Sequence, residues 1–370
     1  MSASGEHALG IFSRFFPTPK FLEMPGVGLA IDDDAVSVVE LLRHPRGFAL
    51  GRFGRRTLPT GSIAGGYVHN QDAVVDEIGK LKDDLRIEFV HASLSDEKAY
   101  LFKTKIPKLA LKEIRGALEF KIEENVPISP SEAVFDYDIF TKSDHRASDH
   151  LDIGMTVLPK KVAETYVDLL GKAGLVPLSF ETEAQAIART LVAQGDTSSY
   201  LIVNFGERKT GLFIVSDEVV HFTSVVPVGG EHITEAIAKY LSVSIEEAQQ
   251  IKREHRILKT RRNTDLFLSL VNTISVLKDE VNKLSVYWST HVEPGESLPQ
   301  KITKIVLCGR DASLPGFVEY LGIALEQKVV VGNVWQNVFS LNDYIPPILF
   351  DESLDYAAAI GLALPRSYHA

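Results

Sequence analysis

The chain has 370 residues, 45% of them hydrophobic and 24% charged, so it can form two or three domains and is not disordered. Its formal net charge of −10 argues against a general nucleic-acid binder, because phosphate contacts need a basic face. The single cysteine, Cys308, excludes a disulfide framework within the chain and favours a reducing compartment.

The sequence predicts no membrane span and no secretory leader. No window of about 18 apolar residues exists, and Pro17, Pro19 and Lys20 interrupt the early apolar stretch. The segment 9–16, LGIFSRFF, is either a short interfacial anchor or a segment with no membrane role. We favour the second, because a segment this short buries little surface in a bilayer.

The first half of the chain predicts strands that alternate with helices. A strand, a turn at Asp32-Asp33-Asp34 and a second strand occupy residues 28–42, and a helix over 70–85 follows the cap Asn70. A compact run follows, with strands at 98–106, 134–140, 151–158 and 175–180, helices at 109–124 and 160–172, and a polar hairpin turn at 141–150.

The second half repeats the opening arrangement. Strands at 200–204 and 211–216 form a hairpin around Gly206, and the segment 219–228 continues the sheet. The later elements are helices at 231–241 and 245–253 with Ser242 and Ser244 as caps, a helix at 264–291, a strand at 304–308, and helices at 316–325 and 354–364. The long helix carries one apolar stripe: Leu268, Val271, Leu277, Val281, Leu284 and Trp288.

Four stretches of this α/β pattern together resemble one family. They are VPVGGEHITEAIAKYLSVSIEEAQQIKRE (226–254), the run from Ile106 to Phe140, CGRDASLPGF (308–317) and YAAAIGLAL (356–364). Over residues 25–364 the chain resembles the PilM family of pilus-assembly proteins within the actin-like ATPase superfamily. The cell-division protein FtsA shares this layout and is the nearest competitor.

The resemblance implies duplicated ribonuclease-H-like domains with an inserted SHS2-type subdomain. The implied units are a flexible segment 1–24; a first lobe of 25–97, 177–197 and about 340–364; an inserted subdomain 98–176; and a second lobe 198–339.

The turn expected to hold phosphate in the first lobe departs from the family pattern. Ala30 stands where an aspartate belongs, Asp32 replaces a glycine and Ser37 stands at a lysine position. The three consecutive aspartates would repel a phosphate group. We interpret this triplet as a solvated turn, with a divalent-cation site and a rewired nucleotide site as the alternatives.

The second turn and the adenosine-contacting turn are also altered. Asn204 replaces an aspartate, while Arg310 and Asp311 replace glycines. The positions that the resemblance assigns to a vestigial or weak nucleotide site are Asn204, Gly206, Thr210, Gly229, Gly230, Glu280, Lys283 and Gly309.

Several of these signals have plainer interpretations. Gly229 and Gly230 could equally form a strand-to-helix turn, Glu280 and Lys283 a surface ion pair, and Glu183 a solvated helix start. The basic run from Lys252 to Arg262 is interpreted as a solvated linker. We expect no catalytic residue and no metal ligand set from histidine or cysteine spacing. Hydrolysis is not expected, and weak binding of ATP and Mg²⁺ stays open.

The expected function is therefore that of a cytoplasmic scaffold at the inner face of the cell membrane, in a type IV pilus or related secretion machine. The resemblance implies a membrane-anchored PilN-like partner whose N-terminal peptide binds in a groove walled by 98–106 and 109–124. Contact with the membrane would be peripheral, through this partner. Nucleic acid is not an expected partner, and a homo-oligomer is left open.

Two alternatives to the scaffold remain. One is an active ATP-binding ATPase whose site a partner completes. The other is an FtsA-like cell-division anchor, which we disfavour because an amphipathic membrane helix is not expected after Pro365.

Overall fold

The computed structural model describes residues 26–44, 47–140, 150–254, 264–290 and 300–365. The predictions made for residues 1–24, for the turn at 141–149 and for the basic residues after Glu254 lie outside this range. Among the helices described, none is both long enough and apolar enough to cross a membrane.

A first lobe is built on a sheet in the order β10-β6-β1-β2-β3. Its elements are β1 (Gly26–Ile31), β2 (Ala35–His44), β3 (Gly47–Thr57), β4 (Ile63–Ala64), β5 (Tyr67–Val68), α1 (Gln71–Leu85), β6 (Phe89–Leu94) and β10 (Val176–Thr182). The strands β1, β2 and β3 pair antiparallel, whereas β6 and β10 join in parallel. The helix α1 starts as predicted, because the Asn70 side chain accepts a hydrogen bond from the Ala73 amide at 3.2 Å.

The inserted unit is a three-stranded antiparallel sheet in the order β7-β9-β8, covered by one helix. Its elements are β7 (Tyr100–Pro107), α2 (Leu111–Asn125), β8 (Ala133–Phe140) and β9 (His150–Pro159). Ile114, Leu118 and Ile122 of α2 are buried against this sheet at helical spacing. The next helix, α3 (Lys160–Lys172), packs on α1 and buries Tyr166 and Leu169 in the core of the first lobe.

The second lobe repeats the topology of the first, with a sheet in the order β13-β12-β11-β14-β15. Its elements are β11 (Ser199–Phe205), β12 (Thr210–Ser216), β13 (Val219–Val226), α5 (Gly230–Leu241), α6 (Ile245–Glu254), α7 (Thr264–Thr290), β14 (Ile302–Cys308), α8 (Phe317–Leu325) and β15 (Val329–Val331). Again three antiparallel strands precede two parallel ones. The exact boundaries assigned to the three units stay a prediction.

Several sequence expectations were incomplete or wrong. No element was predicted for β3, β6 or β15. β3 contains three glycines and three arginines among its 11 residues, a composition that hides a strand at a sheet edge. Ser242 is not the cap of α6 but ends α5 in the left-handed conformation (φ 56°), and Ser244 alone caps α6. Leu268 is 54% exposed, and the stripe of α7 begins at Leu270 instead.

The interpretation of the basic run as a solvated linker is wrong at its first residue. Lys252 lies on α6 and is buried, with its ammonium 3.0 Å from Asp311 Oδ2 and 3.1 Å from the carbonyl oxygen of Gly230. A buried lysine is tolerated only when its charge is paired in this way.

Two helices join the lobes on the apolar side. The helix α4 (Glu183–Leu191) follows β10, and α10 (Ala357–Ala363) comes after the one-turn helix α9 (Phe350–Ser353). Both belong to a core that continues from β1 and β2 into the strands of the second lobe. The contact between α4 and α10 is so close that a Cβ at Gly361 would lie 1.8 Å from the carbonyl oxygen of Ala186.

We predict that Gly361→Ala destabilises the protein, because the obstructing atom belongs to a helix backbone that cannot move aside alone. The expected loss in the free energy of unfolding is about 1–3 kcal/mol or more, measured by urea unfolding. The control is Gly79→Ala in α1, where a Cβ would meet nothing within 4 Å. This change should stabilise the helix by about 0.5–1 kcal/mol. Equal unfolding midpoints for the two variants would contradict the prediction.

Candidate functional site

The candidate site is a cleft between two hairpin turns, one from each lobe. The first turn, 32–34, joins β1 to β2, and the second, 206–209, joins β11 to β12. The loop after β14, which carries Gly309, and the start of α5 close the sides of the cleft.

The side chain of Lys209 crosses the cleft from the second turn into the first lobe. Its ammonium lies 2.9 Å from Asp32 Oδ1, 2.9 Å from Glu97 Oε1 and 3.7 Å from Asp33 Oδ1. Burial alone would lower the pKa of Lys209, but the surrounding carboxylates, Asp32 first, outweigh burial and raise it. Lys209 is therefore a permanent cation on the floor of the cleft.

The three aspartates of the first turn are in different electrostatic states. Burial works to raise the pKa of Asp32, but the charge of Lys209 and several hydrogen bonds lower it overall. Burial and then the charge of Asp32 raise the pKa of Asp33 to about 7, and the same two causes raise that of Asp34. Asp34 nevertheless has a counter-ion, since Arg55 Nη2 lies 2.6 Å from its Oδ2.

Two arginines of the second lobe add further contacts across the cleft. Arg208 donates to the backbone carbonyl of Asp33 at 2.8 Å and to the Thr60 hydroxyl at 3.0 Å. Arg310 lies 4.0 Å from Asp34 Oδ2 and 3.4 Å from Glu207 Oε2.

The interpretation of the acidic triplet as a solvated turn is wrong. Asp33 and Asp34 are 9% and 7% exposed, and the triplet is paired with cations from both lobes. Carboxylate oxygens of the three residues do lie within 4.8 Å of one another, as a divalent cation would require. The Lys209 ammonium and the Arg55 guanidinium already lie against them.

Behind Lys209 the cleft is lined by further carboxyl groups. Glu183, at the start of α4, accepts a hydrogen bond from Asn204 Nδ2 at 3.0 Å, and burial raises its pKa well above the usual value. Its interpretation as a solvated helix start is therefore wrong. Asp96 accepts from the Ala184 amide at 2.9 Å through Oδ2, but its buried Oδ1 has no hydrogen-bond partner.

Most of the residues that the resemblance assigns to a nucleotide site surround this cleft. Asn204 lies at the end of β11, next to the buried thiol of Cys308 at 3.7 Å. The Gly206 carbonyl accepts from the Gly230 amide at 2.9 Å, and the Thr210 hydroxyl donates to the Val228 carbonyl at 2.6 Å. The Gly206 carbonyl and the Thr210 hydroxyl are therefore bonded within the second lobe, and Asn204 and Gly206 line the cavity.

The glycines of the site make room for protein atoms. A Cβ at Gly230 would lie 1.6 Å from Asp311 Oδ2, and one at Gly229 would lie 2.5 Å from the carbonyl oxygen of Glu207. Gly309 has φ +90°, and a Cβ there would lie 2.6 Å from Asn204 Oδ1. Close packing inside the second lobe thus requires all three.

Glu280 and Lys283 lie apart from this arrangement, on the outside of α7. Their charged atoms approach to 3.3 Å one helical turn apart, and the Lys283 side chain is 76% exposed. An exposed pair of this kind contributes little to stability.

The cleft does not fit a nucleoside triphosphate. Its cations are already paired with carboxylates, so an incoming phosphate would meet mainly negative charge. The cavity beside the first turn has a volume of about 50 Å³, whereas small-molecule pockets usually have about 300–1,000 Å³. We therefore assign no reaction step to this site.

The sequence analysis missed the groups that organise the cleft. Lys209, Arg208, Asp96 and Glu97 were not among the candidate residues. The sequence could have indicated Lys209, because the basic pair Arg208-Lys209 occupies the turn of the second lobe that corresponds to the acidic triplet in the first.

Comparison with known proteins identifies the fold. Residues 28–367 match the family described as type IV pilus assembly protein PilM. The cell division protein FtsA of Enterococcus hirae is 26% identical in an alignment of 211 positions that covers 50% of this chain and 47% of that protein. The match therefore spans about half the length of this curated relative.

Solved structures give the same result. A chain of a PilM-PilN type IV pilus biogenesis complex superposes with a TM-score of 0.74 at 22% identity, over 91% of this chain and 97% of that one. The ethanolamine utilization protein EutJ from Carboxydothermus hydrogenoformans gives 0.54 at 15% identity, over 94% and 91%. MreB5 of Spiroplasma citri bound to ADP gives 0.51 at 13%, over 90% and 94%. The expected α/β class with duplicated actin-like ATPase lobes is confirmed.

The buried carboxyl group of Asp96 should make the free energy of unfolding depend on pH. Burial raises its pKa from 3.8 to about 7, so between pH 4 and 7 the folded protein binds a proton that the unfolded chain lacks. The contribution of Asp96 to the free energy of unfolding therefore falls as the pH rises through this window. Asp96→Asn removes the titration and keeps an oxygen for the Ala184 amide.

We expect Asp96→Asn to stabilise the protein, relative to wild type, by about 2–4 kcal/mol more at pH 8 than at pH 5, because the folded wild type loses its extra proton between these pH values. Urea unfolding at both pH values measures the difference. Asp83→Asn on α1, where the side chain is 77% exposed, is the control and should change nothing at either pH. A variant less stable than wild type at pH 8 would mean that the ionised carboxylate stabilises the cleft.

Proposed function

The chain belongs to the type IV pilus assembly protein PilM family, and we propose that it works as a scaffold that binds the tail of a membrane-anchored partner. The family match over residues 28–367, nearly the whole chain, is the observation that carries this proposal. It is supported by the likeness to a chain of a PilM-PilN complex, which extends over 91% of this chain.

The partner we propose is PilN-like, with a short N-terminal cytoplasmic tail. Binding such a tail would place the chain at the inner face of the cell membrane without inserting it. The proposed groove is walled by β7 and α2 of the inserted unit. α2 presents a large apolar side chain to solvent on the face away from the sheet, since Phe120 is 71% exposed.

We further propose that nucleotide turnover is not part of this function. An actin-like fold often carries an ATP site, but in this chain the equivalent cleft is filled by its own ion pairs. The positions assigned to a vestigial site then serve packing, and a scaffold requires only a fixed surface.

The tail interaction can be tested with a synthetic peptide from the cytoplasmic tail of the PilN-like protein encoded in the same genome. We expect a Kd in the micromolar range by calorimetry, and Phe120→Glu should weaken binding at least about tenfold, since it places a charge in an apolar contact. Ile323→Glu is the matched control, because Ile323 is 74% exposed on α8 of the second lobe. No binding at several hundred micromolar, or equal loss in both variants, would contradict the proposed groove.

The alternative, a working ATPase, makes the opposite prediction for nucleotide. Calorimetry with ATP and Mg²⁺ should give no heat of specific binding at low micromolar concentration, because phosphate oxygens would have to displace carboxylates from Lys209. A submicromolar Kd for ATP would overturn the scaffold-only proposal and support the ATPase.

A further inference from the structure

The two turns of the cleft form an internal cross-link between the lobes. We call this set of contacts the clasp and define it by Lys209, Arg208 and Arg310 of the second lobe and by Asp32, Asp33, Asp34 and Glu97 of the first. We propose that the clasp holds the lobes closed, so that closure is set by the charges of the chain itself.

The division of charge between the lobes is the first support. The first lobe supplies most of the carboxylates at the mouth of the cleft, while Lys209 and Arg208 come from one turn of the second lobe. Separating the lobes would take the Lys209 ammonium away from Asp32, Asp33 and Glu97, whereas Asp34 keeps Arg55 of its own lobe. Buried like charges within a few ångströms repel one another strongly.

The setting of Lys209 is the second support. Its side chain is only 15% exposed, and its two shortest ion pairs, at 2.9 Å, reach two separate segments of the first lobe. Asp32 belongs to the turn after β1, whereas Glu97 follows β6. A single cation therefore fixes the second lobe against two points.

Arg208 adds hydrogen bonds to the clasp, and their geometry restricts how the two turns fit together. Its guanidinium donates to the Asp33 carbonyl and to the Thr60 hydroxyl, so it recognises the backbone of the turn and a neighbouring side chain. The neighbouring residues Arg208 and Lys209 thus both bind the acidic turn, Arg208 at its backbone and Lys209 at its carboxylates. Arg310 adds a longer contact to Asp34 at 4.0 Å.

On the floor of the cleft, the lobes are joined by α4 and α10, which line it and pack closely through apolar side chains. Loss of the clasp would therefore open the cleft about this packed floor rather than separate the lobes. The cleft would then open from its turns towards its floor, which includes the end of β11 at Asn204 and the end of β14 at Cys308.

Cys308 provides a natural probe of this opening. It is the one cysteine of the chain, it is 0% exposed, and its thiol lies 3.7 Å from Asn204 Oδ1. Its rate of modification by a thiol reagent at pH 7.5 therefore measures how often the cleft floor is uncovered.

The test compares this rate in the full chain for three variants. Lys209→Met should raise the rate at least about tenfold, and Lys209→Arg should keep it near the wild-type value, because the positive charge is retained. Arg52→Met is the matched control. It breaks an ion pair with the buried Glu40 (Nη2–Oε1 2.5 Å), and both partners of this pair belong to the first lobe. The rate for this control should stay close to the wild-type value.

If Lys209→Met does not fold, Arg208→Ala supplies the same comparison. It removes two hydrogen bonds between the lobes and leaves the pairs of Lys209 with the buried carboxylates in place. A smaller but distinct increase in the Cys308 rate is expected for it. The proposal is overturned if the clasp variants raise the rate no more than Arg52→Met does. It is also overturned if the increase follows global unfolding, with the full urea dependence of the unfolding transition.

Discussion

The ammonium of Lys209 between Asp32 and Glu97 is the interaction on which the cleft depends. Neither lobe alone is electrically balanced at the cleft. The first lobe carries closely spaced carboxylates, and the second lobe carries the cation that neutralises them. Joined, they neutralise each other at hydrogen-bond distance, which in a shielded site is far more favourable than in water. The charged residues of the two turns therefore favour the closed arrangement of the lobes.

The lobes are connected by two joints of different physical character. Helices α4 and α10 make an apolar joint in which backbones touch, as the missing side chain of Gly361 requires. The clasp makes a polar joint between the two turns, where hydrogen-bond direction and charge count more than buried area. The inserted unit contacts both lobes, because it follows β6 and its β7 packs against β13.

The sequence predicted the fold better than the site. Strand and helix periodicity is a local signal, and it located the hairpins of both lobes. The charged residues were misjudged because their partners are remote in the chain: Asp33 and Arg208 are 175 residues apart, and Lys252 and Asp311 are 59 apart. Glycine positions were identified, but a sequence shows only that a side chain is missing. The atom that fills the space, such as Asn204 Oδ1 beside Gly309, is visible only in the fold.

The central claim is that protein charges occupy the place between the turns. The most direct measurement is a crystal structure of the chain grown with millimolar Mg²⁺ and a non-hydrolysable ATP analogue. We predict that Lys209 will remain bonded to Asp32 and Glu97, with no triphosphate density between residues 32–34 and 206–209. Ordered triphosphate density there, with Lys209 turned onto its oxygens, would contradict the account.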